Sequence, residues 1–237
     1  MDNNFNEQRY AQSAFTLESF AEKGRIAKSI ALLQAHGPKR ILDVGCTDGL
    51  ISGVIKARTG AYVIGMDASA PAIEKAKAIC DEAYVVEFGK DRLPIPDASV
   101  DAIFAGEIIE HVFHTEDFLE ELFRVAAPGA RLVLSTPNMA AWFNRVFVLL
   151  GLQPLFTDTG VRFSAQGNWL IKPSLPPGHI RNFTLSSLKH LLKVAGWRIE
   201  SAHGHGILSN KLRYLDKPIS SAFPSLASDM ILICRKG

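Results

Sequence analysis

Cysteine is scarce in this sequence: Cys46, Cys80 and Cys234 are odd in number and far apart. That spacing forms neither a zinc pattern nor a disulfide framework, and it fits a reducing compartment. Charge of one sign is also lacking, with 26 Lys and Arg against 24 Asp and Glu, a net of +2. A surface built wholesale for phosphate backbones is therefore not expected, since such domains carry a clear basic excess. Long apolar runs are missing as well. The longest lipid-like stretch, Val146 to Leu152, falls far short of the roughly 20 residues of a spanning helix. The start, Met1-Asp2-Asn3-Asn4-Phe5, lacks the basic region and apolar run of a signal peptide. A soluble cytoplasmic protein without a transmembrane segment is the expectation.

What is present is apolar residue, 47% of 237, enough for a packed core and too much for a disordered chain. The length suits one domain with an insertion. Residues 1–38 begin polar and end in an amphipathic helix with Ile26, Ile30 and Leu33 on one face, stopped by Gly37-Pro38. They read as an N-terminal helical cap. From Arg40 a strand–helix alternation sets in. Strands are expected at Arg40–Gly45, Tyr62–Met66, Tyr84–Glu87, Val100–Phe104 and Arg131–Ser135, and helices at 49–58, from Ser69 to about Asp81, and over most of Glu107–Ala127. Gly60 is a plausible C-cap, and Ser69 with Pro71 is a helix start.

Such alternation implies parallel pairing through right-handed crossovers. The expected fold class is α/β: a doubly wound, Rossmann-like, mostly parallel seven-stranded sheet with helices on both faces. Residues 39–138 form its core. Residues 139–180 break the rhythm, being aromatic-rich and punctuated by Gly151, Pro154, Gly160, Pro173 and Pro176-Pro177-Gly178. An irregular or helical lid over the substrate is the expected role of such an insertion. Residues 181–237 return to the sheet, with a helix capped by Thr184 and closing strands at Trp197–Ser201 and Met230–Cys234.

The most informative stretch is Leu42-Asp43-Val44-Gly45-Cys46-Thr47-Asp48-Gly49. Glycines four apart between a strand and a helix let backbone pass close to a ligand. A dinucleotide fingerprint would need glycine at 45, 47 and 50, where the chain has Gly45, Thr47 and Leu50, so NAD and FAD match poorly. No GxxxxGK[ST] P-loop is present. Asp67 ends the second strand, 24 residues after Asp43, where a carboxylate can accept hydrogen bonds from both ribose hydroxyls.

This arrangement resembles the class I S-adenosylmethionine-dependent methyltransferases, of the type 11/23 kind that includes ubiquinone-type and methionine-pathway small-molecule enzymes. Five segments carry the resemblance in order: Leu42–Gly49, Gly65-Met66-Asp67, Leu93-Pro94-Ile95-Pro96-Asp97-Ala98-Ser99-Val100-Asp101, Glu107-Ile108-Ile109-Glu110-His111-Val112, and Arg124-Val125-Ala126-Ala127-Pro128-Gly129. It implies S-adenosylmethionine as cofactor, held by Asp43, Gly45, Cys46, Thr47, Gly49, Asp67, Ala68, Phe88, Asp91, Gly106 and Glu107. Thr47 stands where relatives often have glycine, and fits if its φ is negative. The acidic residue often found near the adenine amino group is not obvious, so Asp91 is taken for that place and Phe88 as an adenine packing partner or a plain packing residue.

The acceptor is harder to read. Methyl transfer from a sulfonium is an in-line displacement, and an oxygen acceptor must also lose a proton to a base or to a metal-bound state. The Asp/Asn-Pro-Pro-Tyr/Phe motif of amino-methylating enzymes is replaced by Phe104-Ala105-Gly106-Glu107, which disfavours that class. The sequence offers His111 and His179 as bases. It also offers a metal set, since Glu107, Glu110 and His111 at i, i+3 and i+4 would share one helix face, with His179 added from downstream. That triplet is similar to the magnesium ligands of ubiquinone-type and small-RNA 2′-O-methyltransferases. Against it stands a scaffold role for the same segment. His203-Gly204-His205-Gly206 reads either as a weak metal tract or as a glycine turn after a strand. Trp142, Phe143, Phe147, Leu149 and Leu150 read as a lid helix, or alternatively as a tunnel or membrane contact for a greasy acceptor, with Arg145 too little charge for a basic anchor. The expectation is O-methylation of a small-molecule or lipid-linked acceptor, with nucleic acid disfavoured. The alternatives are a metal-dependent RNA 2′-O-methyltransferase and a cofactor-binding protein without catalysis.

Overall fold

The computed structural model describes residues 24–160, 162, 167–170, 177–208 and 212–237. The earlier part of the expected N-terminal cap and residues 161, 163–166 and 171–176 of the insertion lie outside them. In chain order the elements are α1 (Arg25–Gln34), β1 (Arg40–Val44), α2 (Leu50–Thr59), β2 (Tyr62–Asp67), α3 (Ala70–Ala76), β3 (Glu82–Val85), β4 (Val100–Gly106), a 3₁₀ turn (Ile109–His111), α4 (Thr115–Val125), β5 (Ala126–Pro137), α5 (Trp142–Leu149), α6 (Leu185–Val194), β6 (Trp197–His205), α7 (Arg213–Ala222) and β7 (Asp229–Lys236).

The strands form one seven-stranded sheet in the order β3-β2-β1-β4-β5-β7-β6. Neighbours from β3 through β5 pair in parallel, and β7 runs antiparallel to both β5 and β6. Side chains on a strand alternate between faces, and this sheet uses both. Ile41, Val63, Phe104 and Val133 pack with Ile30 and Leu33 of α1, Ile55 of α2 and Ile73 of α3. Their neighbours Leu42, Ile64, Ile103 and Leu132 pack on the other face with Phe118 and Leu122 of α4 and Leu188 and Leu192 of α6. The doubly wound α/β expectation holds. Between β1 and β4 the strand order reverses, and the crevice outside the carboxyl ends of such strands is where ligands bind.

Three local expectations need correcting. The helix after Ser69 stops at Ala76, short of Asp81, because Asp81 is drawn onto β2. Its amide donates to Val63 O at 2.9 Å and its carboxylate accepts Val63 N at 2.8 Å. The third strand begins at Glu82 rather than Tyr84 for the same reason. The span Glu107–Ala127 is not one helix. Glu107 takes a left-handed φ of 57°, and its amide donates to Ser135 O at 3.0 Å, prolonging the β4–β5 ladder. Helix α4 therefore starts only at Thr115, with Glu116 and Asp117 in its first turn facing the positive helix end.

Helix α7 had no counterpart in the sequence reading. Its buried residues are polar, Asp216 and Ser220, and Pro218 lies inside it. Asp216 ties the helix down: it accepts from Trp142 Nε1 (2.9 Å), Leu208 N (2.9 Å), Ser220 Oγ (3.1 Å) and Ser228 Oγ (3.0 Å). Asp216→Ala leaves these buried donors without an acceptor. We expect it to lower unfolding free energy by about 3 kcal/mol, read as a reduced midpoint in urea. An unchanged midpoint contradicts this account. His203-Gly204-His205 lies inside β6 and is not a turn. A Cβ on Gly204 would stand 2.0 Å from Ser220 O, so glycine is there to let α7 cross.

Candidate active site

The turn after β1 is built from alternating left-handed residues: Gly45, Thr47 and Gly49 have φ of 77°, 51° and 83°. Thr47 therefore does not meet the negative φ expected of it. The turn hangs on β2, with Gly45 N and Cys46 N both donating to Met66 O at 2.8 and 3.0 Å. Each glycine also has a packing reason. A Cβ on Gly45 would meet Ile108 Cδ1 at 3.1 Å, and one on Gly49 would meet Ala76 Cα at 3.0 Å. Cys46 sends its side chain into the core, so its main chain is what borders the crevice. Its sulfur and that of Cys80 each lie 2.8 Å from where a Cβ on Gly65 would stand.

Two carboxylates flank the turn. Asp67, at the end of β2, accepts Thr47 N at 3.1 Å on Oδ2 and Ser69 N at 2.9 Å on Oδ1. Burial raises its pKa while those backbone donors oppose the shift. Asp43 is fully buried and accepts Ser52 Oγ of α2 at 2.5 Å. Burial pushes it up to about 7, against the Ser52 hydroxyl. Asp43 thus locks the helix to the strand beneath the turn. Ala68 is exposed beside Asp67. Phe88 packs edge-to-face on Phe118, ring centroids 5.7 Å apart, consistent with its packing alternative. Asp91 accepts Glu87 N at 2.8 Å, closing its own turn. A hollow of about 370 Å³ lies along Gly89–Arg92 and Asp117, Glu121 and Arg124, away from the glycine turn.

At the end of β4, Gly106 pairs with Ser135, and Glu107 is engaged by a residue that sequence reasoning passed over. Arg25, at the start of α1, reaches Glu107 Oε2 at 3.0 Å and Asp229 Oδ2 at 2.6 Å. Among the described residues its buried Nε has no hydrogen-bond partner. Burial drives the Glu107 carboxyl well up, opposed by the Arg25 charge. Ser135 Oγ also donates to Glu107 Oε1 at 3.1 Å. Arg25 and Asp229 are 204 residues apart, so no sequence window contains the pair.

The remaining cluster sits where the insertion rejoins the fold. Among the described residues, Glu110, His111 and His179 bring ligand atoms within 4.8 Å of one another. Glu107 does not join them; the one-face helical argument fails because only Ile109–His111 form a turn and Glu107 points to Arg25. His111 Nδ1 lies 3.0 Å from Gly178 O, and His179 Nδ1 lies 3.0 Å from Phe156 O. A carbonyl only accepts, so in each neutral ring Nδ1 carries the proton and Nε2 the lone pair. Glu110 is 1% exposed. Its Oε2 accepts Thr136 Oγ1 at 2.9 Å, while Oε1 is buried, has no hydrogen-bond partner among the described residues and stands 3.9 Å from His179 Nε2. Burial raises the carboxyl to about 7. Its main-chain oxygen accepts Ile180 N and Arg181 N, fixing the return strand of the insertion over it. Glu110, Thr136, Met139, Phe156 and His179 line a small cleft here, with about 10 Å³ of free space.

Comparison with known proteins places this geometry. The profile of a methyltransferase domain family matches residues 42–134. A probable S-adenosylmethionine-dependent methyltransferase of Mycolicibacterium smegmatis is 29% identical over 73% of this chain, and the match spans 59% of that protein's own length. A ubiquinone biosynthesis O-methyltransferase of Xylella fastidiosa is 29% identical over 78% of this chain and 75% of its own. Among solved structures, an S-adenosylmethionine-dependent methyltransferase of Mesorhizobium loti superposes with a TM-score of 0.61 at 17% identity, covering 93% of this chain and 100% of its own, and so shares the fold. The glycine turn, the carboxylate ending β2 and these matches converge: the chain belongs to the class I S-adenosylmethionine-dependent methyltransferases.

Proposed function

We propose that the protein transfers the methyl group of S-adenosylmethionine to a hydroxyl oxygen of a small or lipid-linked acceptor in the cytoplasm, with nucleic acid disfavoured as acceptor. When bound, S-adenosylmethionine supplies an electrophilic methyl carbon on a sulfonium. The residues present fit it. The turn at Gly45, Thr47 and Gly49 has no Cβ at two of its three left-handed positions, which opens backbone to the ligand. Asp67 has lone pairs beyond the two that Thr47 and Ser69 occupy, for a ribose diol. Arg25, with an unpartnered buried Nε beside Glu107, suits the amino-acid end of the cofactor.

One observation carries the acceptor side: Glu110 Oε1 is buried, unpartnered and in the cleft. A carboxyl whose pKa is lifted to about 7 is poised to accept a proton at neutral pH. Glu110 holds the role of base in this reading, a role the sequence had assigned to His111 and His179. Thr136 orients its other oxygen, and His179, held by Phe156 O, lies beside it to share the proton. The ubiquinone relative's name, an O-methyltransferase, supports oxygen as the acceptor atom.

Magnesium does not fit this cluster. Two imidazoles and one carboxylate are a nitrogen-rich set, whereas magnesium favours oxygen and water. A bound transition ion is a second reading, favoured by the three donors within 4.8 Å. Turnover that survives exhaustive chelation removes it.

The reading is tested by calorimetric titration with S-adenosylhomocysteine, followed by a methyl-donor consumption screen over phenols, carboxylates, saccharides and short RNAs. Binding together with turnover on hydroxyl acceptors is expected. No binding overturns the cofactor assignment, and turnover confined to RNA overturns the acceptor class.

A further inference from the structure

Apolar side chains crowd one exposed region of the molecule. On α5 and just beyond it, Val146, Val148, Leu149 and Leu150 are 46%, 61%, 86% and 64% exposed. Trp169, 81% exposed, adjoins them, since Asn168 Nδ2 donates to Gln153 O and Leu152 N to Phe147 O. Helix α7 is tied to α5 by the Trp142–Asp216 bond, and the turn after α7 by Arg145 Nη2 donating to Ser225 O at 3.3 Å. That helix is inside out. Its polar Asp216 and Ser220 are buried, while Tyr214 and Leu215 are 70% and 54% exposed. Apolar and aromatic surface of this extent on a globular protein marks an interaction face.

Charge identifies what the face meets. The net charge of +2 hides a segregation. Residues 138–228 hold ten Lys and Arg against three Asp and Glu, a net of +7, while the rest holds sixteen against twenty-one, a net of −5. None of the three acids offers an exposed, unpaired carboxylate. Asp216 is buried, Asp158 accepts the amides of Gly178 and His179, and Glu200 pairs with Arg131 at 2.7 Å. Arg145 on α5 and Arg213 and Lys217 on α7 are exposed along the same helices. Exposed leucines, interfacial Trp and Tyr, and cations without compensating acids are the combination that lies on an anionic bilayer. A nucleic-acid surface would use the cations but would gain nothing from Leu149 and Leu150.

We propose that α5, α7 and the segment at Trp169 form a docking face for anionic phospholipid membrane, seating Leu149, Leu150 and Trp169 at the headgroup boundary with Arg145, Arg213 and Lys217 on the phosphates. This revises the expectation that Arg145 alone was too little charge, because α7 supplies the rest. The proposal does not depend on the methyl acceptor. It does place the cleft at Met139 and Phe156 beside the bilayer, since Asn144 of α5 holds Leu155 through two hydrogen bonds.

The test is flotation of the full chain with phosphatidylcholine vesicles, with or without about one third phosphatidylglycerol, at about 0.1 M salt. Binding to the anionic vesicles is expected, at least tenfold above neutral ones. Arg213→Glu with Lys217→Glu should cut it more than tenfold, since each cation contributes roughly fivefold near an anionic leaflet. Leu149→Asp with Leu150→Asp should do the same. Both pairs should leave S-adenosylhomocysteine affinity and melting temperature unchanged, which separates docking from folding and from the cofactor site. Should a pair fail to fold, quenching of Trp169 by brominated anionic lipid in the otherwise intact chain decides instead. The proposal is overturned if the wild type does not float, if neither pair weakens binding, or if Trp169 is not quenched. A dimer that Leu149→Asp splits, or short RNA bound equally by wild type and the leucine pair in place of vesicles, also overturns it.

Discussion

Asp67→Ala weakens S-adenosylhomocysteine binding by at least 100-fold in calorimetric titration, with the protein still folded. The carboxylate accepts Thr47 N and Ser69 N, one on each oxygen. That leaves a lone pair on each for a ribose hydroxyl, and hydrogen bonds to a charged group contribute about 1.5–3 kcal/mol apiece. Losing two therefore costs about 3–6 kcal/mol, or two to four decades in Kd. A second loss adds to the first. Thr47 sits at a φ of 51°, a strained conformation for a β-branched residue, and Asp67 is the group that holds its amide there. Asp67→Asn keeps one acceptor and should fall between wild type and alanine. Equal affinity of wild type and Asp67→Ala would remove Asp67 from the cofactor site.

The pieces of this site differ in how visible they are in the sequence, and the difference is physical. Gly45, Gly49 and Asp67 are legible because they serve one short strand–turn–helix unit whose residues are neighbours in the chain. The two-faced sheet is legible for a similar reason: Ile41 and Leu42, or Ile103 and Phe104, alternate between opposite cores. What escaped depends on partners far away. Arg25 matters through Glu107 and Asp229, and Glu107 turned from a helix face to a strand end because Ser135 O takes its amide. Helix α7 escaped because its apolar residues face outward around buried Asp216, the reverse of the pattern that marks a core helix. The role of Glu110 was hidden by its neighbour. A Glu-His pair draws attention to the imidazole, while only the fold shows that one carboxylate oxygen is buried without a partner.

For Glu110→Gln, kcat falls by about 10²–10³-fold while S-adenosylhomocysteine affinity stays within about twofold, the split expected when a base is lost and the cofactor site is intact. Glutamine keeps an acceptor for Thr136 Oγ1, so the local packing survives. The pH dependence carries the stronger discrimination. Burial lifts the folded pKa of Glu110 from 4.5 to about 7. Only the ionised form takes a proton, so wild-type kcat should rise with pH and level off above about 7, and the variant's residual rate should not follow that curve. Stability moves the other way. The fold favours the neutral carboxyl, so the Glu110 contribution is fully present below pH 4.5 and is lost as pH rises through about 7. At pH 8 the neutral variant should therefore be more stable than wild type by about 1–3 kcal/mol in urea unfolding, and no different near pH 4. Higher stability with lower turnover marks a charge held in a costly place for its chemistry. Lower stability with lower turnover would instead make the Glu110 side chain a structural anchor through Thr136, and would end its assignment as the base.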